Sequence, residues 1–173
     1  MSCALHTHLL RYLVRKRVDF ALEEAVKKIT HDNAVAWEMK GRGLVREGMQ
    51  DLKGAGGDYE HAVELAPDYR DARQRLAEYR LSAREANEAA GHFESLLQAE
   101  PDDPALLFGL ARCRRQQGEF AQARDLLDRL LEGSEQFAWL LERARVAQAE
   151  DDHAAAEAFF RRALALDPRD GET

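Results

Sequence analysis

The chain has 173 residues, of which 45% are hydrophobic and 33% charged, and its formal net charge is -7. This composition is sufficient for a buried core, and no apolar run approaches the roughly 18 to 20 residues that a membrane span requires. The acidity argues against a nucleic-acid partner, because phosphate binding needs concentrated positive charge. We therefore expect a folded chain that binds neither membranes nor nucleic acid.

The N-terminal residues 3–15 carry apolar side chains at helical spacing, which predicts an amphipathic helix. Its apolar members are Leu5, Leu9, Leu10, Tyr12 and Leu13. Cys3, His6 and His8 lie in the same segment and are of metal-ligating types. A chain terminus offers no second layer of side chains to hold such ligands in place, so we predict no metal site. Cys3 and Cys113 form no motif, which favours a reducing compartment, and we expect a cytoplasmic protein.

The use of lysine changes abruptly near residue 53. All five lysines lie within residues 1–53, and the remaining 120 residues use only arginine. Residues 1–53 carry 10 basic and 7 acidic side chains, whereas residues 54–173 carry 15 and 25. The change predicts two segments of different origin, an N-terminal helical cap at 1–53 and a second domain at 54–173.

Residues 22–52 read LEEAVKKITHDNAVAWEMKGRGLVREGMQDL and resemble the C-terminal end of amidohydrolases of the D-aminoacylase and dihydroorotase type. The matching residues are Glu23, Glu24, Ala25, Val26, Thr30, Ala34, Arg42, Gly43 and Gly48. The resemblance implies a helix at 22–29, a short helix, a glycine-rich turn and a closing strand. It contains no catalytic motif, and the chain departs from the family pattern after Gln50. A fragment of an amidohydrolase fused to a second domain is the alternative that it leaves open.

Beyond residue 53 the sequence repeats itself every 33 to 34 residues. The four columns are Ala77, Ala111 and Ala144; Ala89, Ala123 and Ala156; Phe93, Leu127 and Phe160; and Leu97, Leu131 and Leu164. Such a period predicts a solenoid in which each unit is a pair of amphipathic helices. Gly118 marks the turn within a unit, and Pro101 and Pro168 mark the ends of units.

These columns resemble the tetratricopeptide repeat, with units at 70–103, 104–136 and 137–170. The second-helix columns recur one period upstream and predict an orphan second helix at 54–67. Its first helix is in doubt, because the Leu76 column falls on Arg42, a residue type that is rarely packed in a seam. The resemblance implies an all-α fold, an α-α superhelix with an N-terminal helical cap, and a non-enzymatic scaffold for protein–protein interaction.

The resemblance also implies that the first helix of each unit lines a concave groove. The predicted groove residues are Gln74, Arg75, Phe108, Arg112, Arg115, Leu141 and Arg145. Arg112 and Arg145 share a column, about 10 Å apart at ordinary helix spacing. A guanidinium pair beside apolar side chains suits an acidic or C-terminal peptide. The alternative is that these arginines pair internally with Glu78 and Glu142.

No motif for catalysis or for a cofactor is present. The glycines at 54–57 lack the lysine and the preceding strand of a phosphate-binding loop, and no serine lies in a nucleophile elbow. We expect no enzyme activity, no cofactor and no metal. A purely structural or oligomerisation segment of a larger repeat protein is the remaining alternative.

The last unit has no further helix after it in this sequence. Terminal repeats need a polar cap, because the outer apolar face of the last helix is otherwise bare. The residues expected at that face are Phe159, Phe160, Leu164 and Leu166. Exposed apolar patches mark contact sites, so we expect either self-association through this end or continuation in a longer array.

Overall fold

A computed structural model describes the backbone of residues 22–166 and the side chains from residue 31 onward. These residues form α1 (Leu22–Gly48), α2 (Leu52–Leu65), α3 (Arg70–Ser82), α4 (Ala86–Leu97), α5 (Pro104–Gln117), α6 (Phe120–Gly133), α7 (Phe137–Ala149) and α8 (His153–Leu166). Residues 22–166 contain no strand, which confirms the all-α prediction. The helix predicted at 3–15, with Cys3, His6 and His8, lies outside the described residues, as do residues 167–173.

The chain divides into two compact units, residues 1–72 and residues 73–173. The division falls near the start of α3, and the junction predicted at residue 53 stays a prediction. None of the described helices is both long and apolar enough to cross a membrane.

In the first unit α1 is one continuous helix of 27 residues. The glycine-rich turn and the closing strand implied by the amidohydrolase resemblance do not form there. Gly43 lies inside the helix because Tyr59 of α2 packs directly against it, and a Cβ at this position would be 2.5 Å from the ring. The glycine thus permits a close helix crossing, and this contact offsets a helix-propensity cost of about 1 kcal/mol.

An ion pair closes the seam between α1 and α2. Asp58 of α2 is buried, and its carboxylate accepts hydrogen bonds from the Nε of Arg42 at 3.0 Å. A guanidinium nitrogen of Arg46 lies 3.0 Å from the same carboxylate. The hydrogen bonds from Arg42 lower the pKa of Asp58. Arginine is therefore accommodated where the repeat pattern places leucine, since its guanidinium reaches a buried acid from the half-exposed edge of the seam.

In the second unit each helix from α4 to α8 packs against the next along the chain. Ala111 on α5 and Ala144 on α7 are fully buried, and each of these helices is the first of its repeat. Ala123 is fully buried on α6, which is the second helix of its repeat. Small residues at these columns allow neighbouring helices to approach closely. Larger side chains such as Leu127 fill the space between them.

Local signals fix where α5 begins and ends. The Asp103 carboxylate caps its N-terminus by accepting hydrogen bonds from the backbone amides of Ala105 and Leu106, at 2.8 and 3.2 Å. Pro104 occupies the first turn, where no amide donor is needed. Gly118 ends the helix in the left-handed conformation, with φ at 82°.

Candidate peptide-binding groove

Helices α5 and α7 are the first helices of two successive repeats, and they contact each other. They carry five of the predicted groove residues, Phe108, Arg112, Arg115, Leu141 and Arg145. Phe108 and Leu141 are partly buried, so each keeps some apolar surface in contact with solvent. This α5–α7 face, defined by these five residues, is the candidate site.

A buried acid organises the basic side chains of the α5–α7 face. The side chain of Glu142 on α7 is only 3% exposed. The Nε of Arg115 donates to its Oε1 at 2.5 Å, and a guanidinium nitrogen of Arg145 donates to its Oε2 at 3.2 Å. Internal pairing is thus realised for Arg115 and Arg145. The pairing still leaves Arg145 51% exposed, whereas Arg115 is 27% exposed.

Arg112 differs from these two arginines. Its guanidinium carbon lies 5.8 Å from the centre of the Phe108 ring, one turn earlier on α5. Within residues 22–166 it forms no ion pair with an acid. Internal pairing with Glu78 is therefore not observed for Arg112. A cation held over an aromatic ring retains its charge and its donors for a further acidic group.

The two predicted groove residues on α3 have a different setting. The Gln74 amide donates to Glu78 at 3.1 Å, and a guanidinium nitrogen of Arg75 lies 3.4 Å from Glu78. The positive charge of Arg75 is therefore paired with Glu78 on the same helix. The α5–α7 face, by contrast, carries the three guanidiniums of Arg112, Arg115 and Arg145, and the only carboxylate that pairs with any of them among the described residues is Glu142.

The four residues predicted for the terminal patch separate into two settings on α8. Phe160 and Leu164 line an open depression of about 400 Å³. Phe159 does not line it, and the centre of its ring lies 4.7 Å from the guanidinium carbon of Arg143 and 5.2 Å from that of Arg162. Leu166 is exposed but does not line the depression. The other lining residues, which the repeat pattern did not indicate, are Gln148, His153, Ala156, Glu157 and Arg161.

Neither a metal centre nor a reactive thiol is evident in the part of the chain that the structure describes. No group of three His, Cys, Asp or Glu side chains among these residues could hold a metal ion. Cys113 is fully buried, and burial raises the pKa of its thiol to about 11. Such a thiol is inert at neutral pH.

Family models described as tetratricopeptide repeat match residues 80–138 and residues 140–170. Among solved structures, MamA (41-end) from Desulfovibrio magneticus RS-1 is 16% identical, with 98% of this chain and 97% of that chain covered and a TM-score of 0.71. TTC0263, a thermophilic TPR protein of Thermus thermophilus, is 20% identical, with 77% and 75% covered and a TM-score of 0.64. No curated protein sequence matches significantly. At these identities the structures establish the fold alone.

Proposed function

The chain carries tetratricopeptide repeats over residues 80–138 and 140–170, and from this premise we propose that it is a non-enzymatic interaction scaffold whose α5–α7 face binds an acidic peptide. The repeats support a protein–protein interaction scaffold. The choice of face and the chemistry of the ligand are our inference. The observation that carries this inference is the state of Arg112, a partly buried cation held against Phe108 without an acidic partner within residues 22–166.

The charges of the face favour an acidic ligand. Glu142 is shared by Arg115 and Arg145 and neutralises one of them, so with Arg112 the face keeps a surplus of about two positive charges. The protein as a whole has a net charge of -7, which makes this surplus a local feature. In the complex that we propose, a ligand carboxylate lies between Arg112 and Arg145 and accepts charge-assisted hydrogen bonds from both.

The apolar members of the face select among acidic ligands. Phe108 and Leu141 are partly buried and offer apolar surface beside the guanidiniums. Burying apolar surface contributes about 25 cal/mol per Å². We therefore expect a peptide that carries one or two apolar side chains next to its carboxylates, bound with one carboxylate over Arg112. A uniformly acidic chain would lack that contribution.

We assign no catalytic activity to the chain. The amidohydrolase-like segment at 22–52 forms helix α1 and the start of α2, and it carries no catalytic motif. We expect no hydrolysis of N-acyl-D-amino acids or cyclic ureides with zinc, manganese or cobalt added. Turnover that a chelator abolishes, and that His6→Ala or His8→Ala removes, would contradict this.

The test uses fluorescence anisotropy with a labelled peptide of alternating Glu and Leu. The matched peptide with Lys in place of Glu controls for nonspecific apolar binding. Arg112→Glu is the main variant, because Arg112 supports no ion pair among the described residues and its replacement should leave folding intact. We expect binding to weaken about tenfold or more, since a hydrogen bond to a charged group is worth about 1.5 to 3 kcal/mol.

A matched control separates the face from net charge. Arg129→Glu changes the charge equally at an exposed position on the second helix α6, away from the α5–α7 face. We expect this control to bind the peptide within about twofold of the parent, because long-range charge effects are screened by salt. Equal loss in both variants, or equal binding by the Arg112→Glu variant and the parent, would contradict the proposed face.

A further inference from the structure

The exposed face of α8 is formed by the repeat positions that are buried on α6. One period of 33 residues relates Ala123, Leu127 and Leu131 of α6 to Ala156, Phe160 and Leu164 of α8. On α6, Ala123 and Leu127 are fully buried in a cluster that includes Trp139 and Val146 of α7. On α8, Leu164 is 46% exposed and Phe160 lines the open depression. The face of α8 thus repeats the residue pattern with which α6 packs against α7, and no described helix covers Leu164 or the depression.

The charges flanking this face are the reverse of those on α6. Arg124 and Asp128 of α6 pair with residues of α7, namely Glu150 at its C-cap at 3.0 Å and Arg143 at 2.7 Å. The positions one period later hold Glu157 and Arg161, an acid for a base and a base for an acid. A helix that docks on α8 therefore needs a base opposite Glu157 and an acid opposite Arg161.

We propose that this face of α8 binds the same face of a second copy of the chain, with the two α8 helices antiparallel. Glu157 and Arg161 are one turn apart and pair with each other at 2.5 Å on the surface of α8. In an antiparallel dimer, Arg161 of one helix lies beside Glu157 of the other. The two-fold axis then generates a second pair, between Glu157 of the first helix and Arg161 of the second. The face is self-complementary, because it supplies both charges that an occupant must have.

The same arrangement brings the apolar residues together. With the helices crossing near the level of Ala158, Phe160 of one copy enters the depression of the other, whose floor includes the nearly buried Ala156, and Leu164 lies opposite His153. These contacts cover the apolar lining of the depression. The 14-residue helix is about 21 Å long, so the contact is small and the dimer is weak, with Kd in about the micromolar range. The α5–α7 face takes no part in it.

Sedimentation equilibrium of the full chain from about 10 to about 500 µM tests the proposal, since this range brackets a micromolar Kd. We expect the parent to dimerise reversibly. Leu164→Glu should weaken dimerisation at least about tenfold, because it places a charge in an apolar contact. Arg129→Glu, with its substitution off the face, should leave it unchanged. Circular dichroism verifies that each variant is folded.

A charge exchange identifies the partner surface. Arg161→Glu gives a face with two acids and Glu157→Arg gives a face with two bases, so each variant alone should be at least about tenfold weaker than the parent. An equimolar mixture of the two restores both reciprocal pairs, and we expect it to dimerise as the parent does. A monomeric parent, or a mixture no more associated than its components, would overturn the proposal.

Discussion

Arg115 and Arg145 hold the same buried carboxylate, yet we expect them to contribute unequally to stability. Arg115→Met removes the closer partner of Glu142, at 2.5 Å and itself 27% exposed. The carboxylate then stays buried with only a half-exposed arginine at 3.2 Å. We expect the free energy of unfolding to fall by about 2 to 3 kcal/mol, toward the range for breaking a buried ion pair.

Arg145→Met should cost much less. Its side chain is 51% exposed and pairs with Glu142 one turn away on the same helix. Exposed pairs of this kind are worth about 0.2 to 1 kcal/mol, and Arg115 remains to neutralise the carboxylate. Arg145 is accordingly the partner that a ligand carboxylate can share without unfolding the unit.

Urea unfolding followed by circular dichroism measures both costs. In a Glu142→Gln background the cost of Arg115→Met should shrink to below about 1 kcal/mol, because no buried charge is then left without its partner. Equal costs for the two arginines, or a cost of Arg115→Met that is unchanged by Glu142→Gln, would show that the buried charge of Glu142 is not stabilised mainly by Arg115.

Three further outcomes follow from local packing and charge. Gly109→Ala should destabilise by about 1 to 3 kcal/mol in urea unfolding, because its Cβ meets a buried phenyl ring, whereas Gly91→Ala has open space and should stabilise by up to about 1 kcal/mol. Guanidinium hydrogen bonds lower the pKa of Asp58, so the stability from this pair is present above about pH 4 and is lost as pH falls through the lowered value. Unfolding measured against pH should show a weaker acid dependence in Asp58→Asn. Cys113, with its pKa raised to about 11, should react with a thiol reagent at pH 8 only after denaturant is added, measured with Cys3→Ser to remove the other thiol; rapid labelling of the native protein would contradict its burial.

The sequence predicts the helix pairs of the repeat segment because their contacts are local and periodic. Alanine columns such as Ala77 and Ala111 recur at a fixed spacing, and each marks a close crossing that tolerates no larger side chain. A helix pair with this period has few ways to bury its apolar face except against its neighbours. The all-α fold therefore follows from pattern alone.

The pattern is less informative upstream, where a glycine has two meanings. Gly43 fits a turn as well as a close helix crossing, and only the ring of Tyr59, 16 residues later, decides between them. Arg42 was similarly ambiguous, since its acidic partner Asp58 is 16 residues away. Composition does not reveal that this acid is buried.

The sequence predicts which positions form the candidate site, but it does not predict which of their charged side chains pair with each other. Sequence spacing placed Arg112 and Arg145 in one column, but it could not tell which arginine has an internal partner. Glu142 lies 27 residues from Arg115 in the chain, and their hydrogen bond exists only because α5 and α7 are neighbours. For the contact surface on α8, the sequence does contain a signal. Glu157 and Arg161 reverse the charges of Arg124 and Asp128 at the same positions of the preceding repeat.

The binding of an acidic peptide to the α5–α7 face is tested most directly by amide chemical-shift mapping in NMR. The labelled full chain is titrated with the unlabelled peptide of alternating Glu and Leu. If the peptide binds this face, we expect saturable shifts centred on Phe108, Arg112 and Arg145, and the loss of these shifts in Arg112→Glu. Shifts confined to α8, or no saturable shifts on α5 and α7, would contradict it.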